Sequence, residues 1–175
     1  MNKGFTLLEM LIVVLIIGIL TAIALPQYKR AVNKAKVAQV LPSMRRWKDA
    51  LMEYKLQNNS YCKKGTEEDC VQLPDASDIE AKWPSDWSNG NCGNSHFCSN
   101  DFWDCSIDSF GAVYCDHIVA AKRHYAIVMY QPDDPYQELF RNKIICSGFG
   151  NEMRDFCRGI GGKPIEEGSD IFVIH

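Results

Sequence analysis

From Phe5 to Leu25 the chain is apolar at every position except Thr6, Glu9, Gly18 and Thr21. As a helix rising 1.5 Å per residue, these 21 positions extend about 32 Å, close to the roughly 30 Å hydrocarbon core of a bilayer. An ordinary secretory signal has a shorter apolar region, about 7 to 15 residues, ending in a small-residue cleavage site. Here Pro26-Gln27-Tyr28 follows instead. Lys3 precedes the run and Lys29, Arg30, Lys34 and Lys36 follow it, so charge alone does not orient it.

Beyond Pro26 the pattern changes. Tyr28, Ala31, Ala35, Ala38, Leu41, Met44, Trp47, Leu51 and Tyr54 recur every three or four residues with cations mostly between them, which predicts an amphipathic helix over residues 26–57. Pro42 falls inside this pattern and predicts a bend near Ala38 to Leu41, or a split in the helix. Asn58-Asn59-Ser60-Tyr61 ends it with turn residues. Residues 58–175 then read as a globular head, loop-rich over about 58–110 and sheet-forming over about 111–175. Strand-like runs occur at Gly111 to Cys115, His124 to Gln131 and Leu139 to Ser147, separated by turns such as Gln131-Pro132-Asp133-Asp134-Pro135. Asn151 to Phe156 is a short helix candidate, stopped by Gly159 and Gly161-Gly162. Ile171 to Ile174 is an edge strand or a tail. The apolar helix stripe must bury itself on something, and the later chain offers strands, so the expected fold is α+β, a long helix on an antiparallel sheet.

At 175 residues there is room for one ordinary domain. A net charge of −3 and a pI of about 5.8 provide no broad basic field, so no nucleic-acid partner is expected. The eight cysteines, Cys62, Cys70, Cys92, Cys98, Cys105, Cys115, Cys146 and Cys157, lie outside the N-terminal third and suggest up to four disulfides in an oxidising compartment. Sequence does not choose among the 105 pairings that eight cysteines allow, although a bridge from Cys146 to Cys157 would close the short helix. Zinc is disfavoured, because the nearest approach to ligand spacing is Cys92, His96 and Cys98. Trp83, Trp87, Phe97, Phe102 and Trp103 are expected to form the core of the loop-rich segment, with an adhesive or sugar-binding patch as the alternative. Asp101, Asp104 and Asp108, like Asp133 and Asp134, read as turn caps rather than a calcium site. No hydrolase, nucleotide-binding or metalloprotease motif occurs, and the four histidines lack ligand spacing. Neither a catalytic role, a resident metal nor a cofactor is expected.

Glu9 needs an explanation, since a carboxylate near mid-membrane costs about 2.5 to 3.5 kcal/mol on insertion scales. Either it lies near the helix end and snorkels or protonates, or it has a buried partner. Cleavage between Gly4 and Phe5 would create an α-amino group four residues before it, and the amine of one subunit could then neutralise Glu9 of another. Gly4-Phe5-Thr6-Leu7-Leu8-Glu9, followed by the apolar run and Pro26-Gln27-Tyr28, resembles the prepilin signature of type IV pilins and related pseudopilins. The resemblance is close from about Lys3 to Tyr28 and weaker to about Tyr61. It implies that residues 1–4 are a leader removed by a prepilin peptidase, that Phe5 is N-methylated, and that Glu9 guides assembly. It also implies that Gly18 and Pro26 bound a stretch of helix able to lose order in the filament. The C-terminal pair Cys146 and Cys157 resembles the disulfide-bounded region of many pilins. The implied partners are further copies of the chain, the peptidase, the assembly machinery and the inner membrane, with a pilus outside the cell as the destination. A type II secretion pseudopilin, and a minor pilin acting as adhesin or DNA-uptake receptor, are the alternatives.

Overall fold

The structure, a computed structural model, describes residues 6–84, 87, 97–119, 122–135, 137–148 and 150–174. Helix α1 runs from Leu7 to Asn58, 52 residues and therefore about 78 Å long. It ends where Asn59 enters the left-handed region at φ 58° and returns its N–H to the Lys55 carbonyl at 2.7 Å, a C-terminal stop for which Asn is suited. α1 is not split at Pro42. Pro42 and Ala38 are both exposed, so the carbonyl that proline leaves without an N–H partner faces water. Val40 and Met44, each fully buried, hold the helix to the head on either side of it.

Val37, Val40, Met44, Trp47 and Leu51 form the buried stripe of α1, stepping by three and four residues as one helix face requires. The sheet beneath consists of β3 (Cys98–Ser99), β4 (Trp103–Ile107), β5 (Val113–Val119), β6 (Lys122–Met129), β7 (Ile144–Gly148), β8 (Lys163–Pro164) and β9 (Ile171–Ile174). Their order is β3-β4-β5-β6-β7-β9-β8, with every neighbouring pair antiparallel. A separate hairpin pairs β1 (Lys64–Gly65) with β2 (Cys70–Gln72). Helix α2 (Asn151–Gly159) sits against α1 and β7.

Three features of the sheet depart from the sequence reading. β4 lies within the segment expected to be loop-rich, and its residues alternate buried and half-buried, the period of two that a strand with one core face imposes. β9 is neither an edge nor a tail, because β8 pairs along its outer side. The Leu139 run also divides into a 3₁₀ turn, Glu138–Phe140, and β7.

One row of register partners crosses the helix-facing side of the sheet: Cys98, Cys105, Cys115, Ile127, Cys146 and Phe172, all fully buried. Cys105 bridges to Cys115 within this row, and Cys146 bridges to Cys157 on α2. Cys62 bridges to Cys70 and clips the hairpin. Cys98 is also disulfide-bonded, which removes the thiolate a zinc site would need, while Cys92 and His96 lie outside the described residues. Each described bridge spans only 8 to 11 residues, so chain entropy limits its contribution to about 3 kcal/mol.

Trp47 of α1 stacks on Trp83 at 4.9 Å between centroids, and Trp83 on Trp87 at 5.9 Å. With Trp103 also fully buried, these rings form core, as read from the sequence. Phe102 is the exception: it is exposed, with the Lys36 ammonium 4.7 Å from its centroid. Phe97 is half-buried.

Polar contacts lock the head end of α1. Lys55 Nζ lies 2.9 Å from Glu67 Oε1 and 2.8 Å from Asp133 Oδ2, and the Tyr61 hydroxyl donates to Asp133 Oδ1 at 2.7 Å. Gln131 Nε2 donates to the carbonyls of Lys48 and Gly111, joining helix to sheet. Gly111 has φ +78°, and a Cβ there would lie 2.6 Å from the Tyr61 ring, so the position requires glycine. Burial favours the neutral form of Asp133, but hydrogen bonds from Lys55 and Tyr61 outweigh it and hold the carboxyl below its ordinary range. Burial likewise pulls Lys55 down, and the carboxylates of Asp133 and Glu67 more than reverse it.

Replacing Trp47→Ala should cost about 3 to 5 kcal/mol, read from urea unfolding of the full chain in a non-ionic detergent. Because Asp133 has a depressed folded pKa, its stabilisation is complete above the ordinary carboxylate value near 3.9 and is lost as pH falls through the lower folded value. Asp133→Asn should therefore lower the melting temperature at pH 6 while flattening its decline below about pH 4. The raised Lys55 acts oppositely: its contribution is complete below about pH 10.4 and is lost as pH rises through the folded value.

Candidate assembly site

The first half of α1 has no protein against it. Residues 6–31 are all exposed, Leu7 to 84%, Leu15 to 63% and Ile23 to 58% of their maximum. An 18-residue window here has a mean hydropathy of 2.8, which makes it long and apolar enough to cross a membrane. Fully covering each such Leu, Ile or Val is worth about 1.5–3 kcal/mol. The same helix that buries Val37, Val40, Met44, Trp47 and Leu51 inside the head thus presents an uncovered apolar rod beyond it.

Glu9 lies in the first turn of this rod. Thr6 Oγ1 accepts the Glu9 N–H at 3.3 Å, and Glu9 Oε2 accepts the Thr6 N–H at 3.3 Å. The two residues form a reciprocal capping box, which satisfies two of the amide donors a helix start leaves open. A carboxylate there also faces the positive end of the helix dipole. The sequence reading missed this role, although Thr6-Leu7-Leu8-Glu9 has the S/T-x-x-E spacing that announces it. Gly4 and Phe5, between which the resemblance places cleavage, lie outside the described residues.

Gly18 and Pro26 both sit within unbroken helix on the exposed rod. A Cβ at Gly18 would meet nothing within 4 Å, so no close contact in the monomer requires glycine. Both weaken the helix by intrinsic means, glycine by about 1 kcal/mol relative to alanine and proline by removing a hydrogen bond.

Other residues singled out from the sequence serve the head. Asp108 accepts from the backbone N–H groups of Phe110 and Ala112 and from the Tyr114 hydroxyl at 2.7–2.9 Å, closing the β4–β5 turn. Burial raises its pKa despite these three donors, and burial with the facing carboxylate raises that of Tyr114. Asp134 is buried and caps the following turn by accepting the Gln137 N–H. Among the described residues no group of three His, Cys, Asp or Glu side chains is arranged to hold a metal.

The model of the prokaryotic N-terminal methylation motif matches residues 1–25. The chain is 36% identical over 83 residues to a type IV major pilin protein PilE1 of Neisseria gonorrhoeae, covering 47% of this chain and 49% of that protein. It is 34% identical over 83 residues to a fimbrial protein of Neisseria meningitidis, 47% of each chain. It is 54% identical over 41 residues to a type IV major fimbrial protein FimA of Dichelobacter nodosus, 23% of this chain and 26% of that protein. The match therefore spans about half the length, or less, of these curated relatives. No solved structure matches. The methylation motif at residues 1–25 and the similarity of the first half of the chain to type IV major pilins fall on a long helix packed by its second half on an antiparallel sheet, so the chain is similar to type IV pilins over its N-terminal half.

Proposed function

We propose that the chain is a structural subunit of a type IV pilus, assembled through the first half of α1. The observation that carries this reading is the exposure of residues 6–31 on a helix whose far half is core. Such a rod is stable in a bilayer or within a bundle of identical rods, and one helix serves both as membrane anchor and as filament core. A head-to-tail contact that does not close on itself extends such copies into a helical filament. The similarity to proteins named type IV major pilin and fimbrial protein favours a pilus over a secretion piston. A fold built from core residues and turn caps favours a structural role over catalysis.

In this reading a prepilin peptidase cuts between Gly4 and Phe5 and the new Phe5 nitrogen is methylated. The subunit waits in the bacterial inner membrane, and the assembly machinery transfers it to a filament outside the cell. Glu9 pairs with the Phe5 amine of a neighbouring copy, exchanging its cap contact to Thr6 for an ion pair in an apolar surrounding. The stretch between Gly18 and Pro26 loses helical order as rods pack, because it is the part of the rod cheapest to unwind.

Expression with a prepilin peptidase should yield a peptide beginning at N-methylated Phe5 in mass spectrometry, and Gly4→Ala should abolish it. An uncut Met1, or a cut beyond Leu25, would contradict the assignment. Glu9→Gln should leave membrane levels and head folding unchanged but lower sheared-filament yield by at least about tenfold, since losing one partner of a desolvated charge pair costs several kcal/mol. Wild-type yield from Glu9→Gln would remove Glu9 from assembly.

A further inference from the structure

A groove of about 1020 Å³ lies between α1 and α2, beginning at Pro26, one residue past the apolar run. Its walls carry opposite net charge. α1 contributes Lys29, Arg30 and Lys34, while α2 contributes Glu152 and Asp155 together with Arg158, whose guanidinium lies over the Phe172 ring, 5.9 Å from its centroid. Lys29, Arg30, Lys34, Glu152 and Asp155 are exposed, and none of these five forms a salt bridge across the groove. The helices come close beside it, where a Cβ on Gly159 would lie 3.5 Å from Arg30 Cγ.

The depth of the groove is set by α1. Lys29 and Arg30 lie four and five residues beyond Leu25, about 6 to 7.5 Å along the axis. A bilayer of about 40–45 Å with a 30 Å hydrocarbon core leaves about 5–7.5 Å of headgroup layer on each side. Helical side chains lean toward the N-terminus, so Lys34 reaches back toward the same layer. With the head on the translocated side, these cations also run against the usual enrichment of Lys and Arg on the cytoplasmic side. A local partner at headgroup depth accounts for them.

We propose that the groove holds the headgroup of an aminophospholipid, its phosphate against Lys29, Arg30 and Lys34 and its primary ammonium against Glu152 and Asp155. A purely anionic headgroup would bring the two carboxylates no donor, and a choline headgroup has no N–H to donate to them. Seating a headgroup between the helices fixes the rotation of the head on the membrane before the subunit leaves it. The proposal rests on reading the apolar run as membrane-embedded, but does not require that filaments form.

The test uses the full chain in non-ionic detergent with equimolar phosphatidylethanolamine, phosphatidylglycerol and phosphatidylcholine of identical acyl chains, and native mass spectrometry to count each retained lipid. Phosphatidylethanolamine should exceed each of the others by at least about fivefold, as charge-assisted hydrogen bonds to both ends of the headgroup require. The triple variant Lys29→Gln, Arg30→Gln and Lys34→Gln should remove its retention. The double variant Glu152→Gln and Asp155→Asn should retain phospholipid but erase the preference for ethanolamine over choline. Near-UV circular dichroism confirms that each variant keeps its head. Equal retention of the three lipids, preference of the wild type for phosphatidylglycerol, or variants that keep the wild-type ratios would overturn the proposal. Loss of lipid preference with an intact N-methylated Phe5 peptide discards the lipid site alone, and preference retained in a chain not cut after Gly4 discards the pilus reading alone.

Discussion

A single continuous helix has to satisfy two surroundings at once, and the rest of the molecule follows from that constraint. Along its 52 residues α1 changes from a rod apolar on every side to an amphipathic helix with one buried stripe. The head exists to cover that stripe, and the exposed half needs cover from outside the chain. α1 contains no cysteine and so anchors no disulfide: the described bridges join the hairpin, two neighbouring strands, and β7 to α2. Helix and sheet are held together by the Trp47 stack, by Gln131 and by Lys55 with its two carboxylates.

This division of labour suits the proposed role, that of a subunit moved from a membrane into a filament. The described bridges are short and local, so they stiffen the head without tying α1 covalently into it. The contacts to α1 are the stripe from Val37 to Leu51, hydrogen bonds near its far end and the flank of α2 beside Arg30, all on the C-terminal side of Pro26. Order can therefore be lost between Gly18 and Pro26 without disturbing Met44, Trp47 or Leu51, which begin more than 15 residues later along the chain. Proline in a helix acts differently at its two positions. Pro42 is bracketed by buried neighbours and leaves α1 unbroken, whereas Pro26 stands on the exposed rod with no such support.

Much of this was legible in the sequence because each part has its own period. The uninterrupted apolar run, the three-and-four stepping after it and the alternation in the later strands predict the helix-on-sheet architecture directly. Trp103 to Ile107 escaped because Ser99, Asn100 and Asp101 before it and Asp108 and Ser109 after it mask a five-residue alternation. The place of Ile171 to Ile174 inside the sheet was not legible, since it depends on Lys163 and Pro164 pairing outside it, a two-residue contact with no sequence period. The cap formed by Thr6 and Glu9 was legible as spacing, but the carboxylate in an apolar run drew attention to a partner elsewhere. The charged walls of the groove were invisible, because Lys34 and Asp155 are 121 positions apart and only the packing of α2 on α1 brings them together.

The central claim is that the apolar half of α1 is covered by other copies of itself in the filament. Single cysteines placed at Leu15 and at Glu138, an exposed residue of the head, test it most directly when intact sheared filaments are treated first with a water-soluble maleimide and then with a short bis-maleimide after denaturing the unlabelled fraction, alongside bis-maleimide treatment of untouched filaments. The account predicts that Leu15→Cys resists the water-soluble reagent and forms subunit-to-subunit cross-links in untouched filaments, while Glu138→Cys is labelled. Labelling of Leu15→Cys as complete as that of Glu138→Cys, with no cross-linked species, would contradict it.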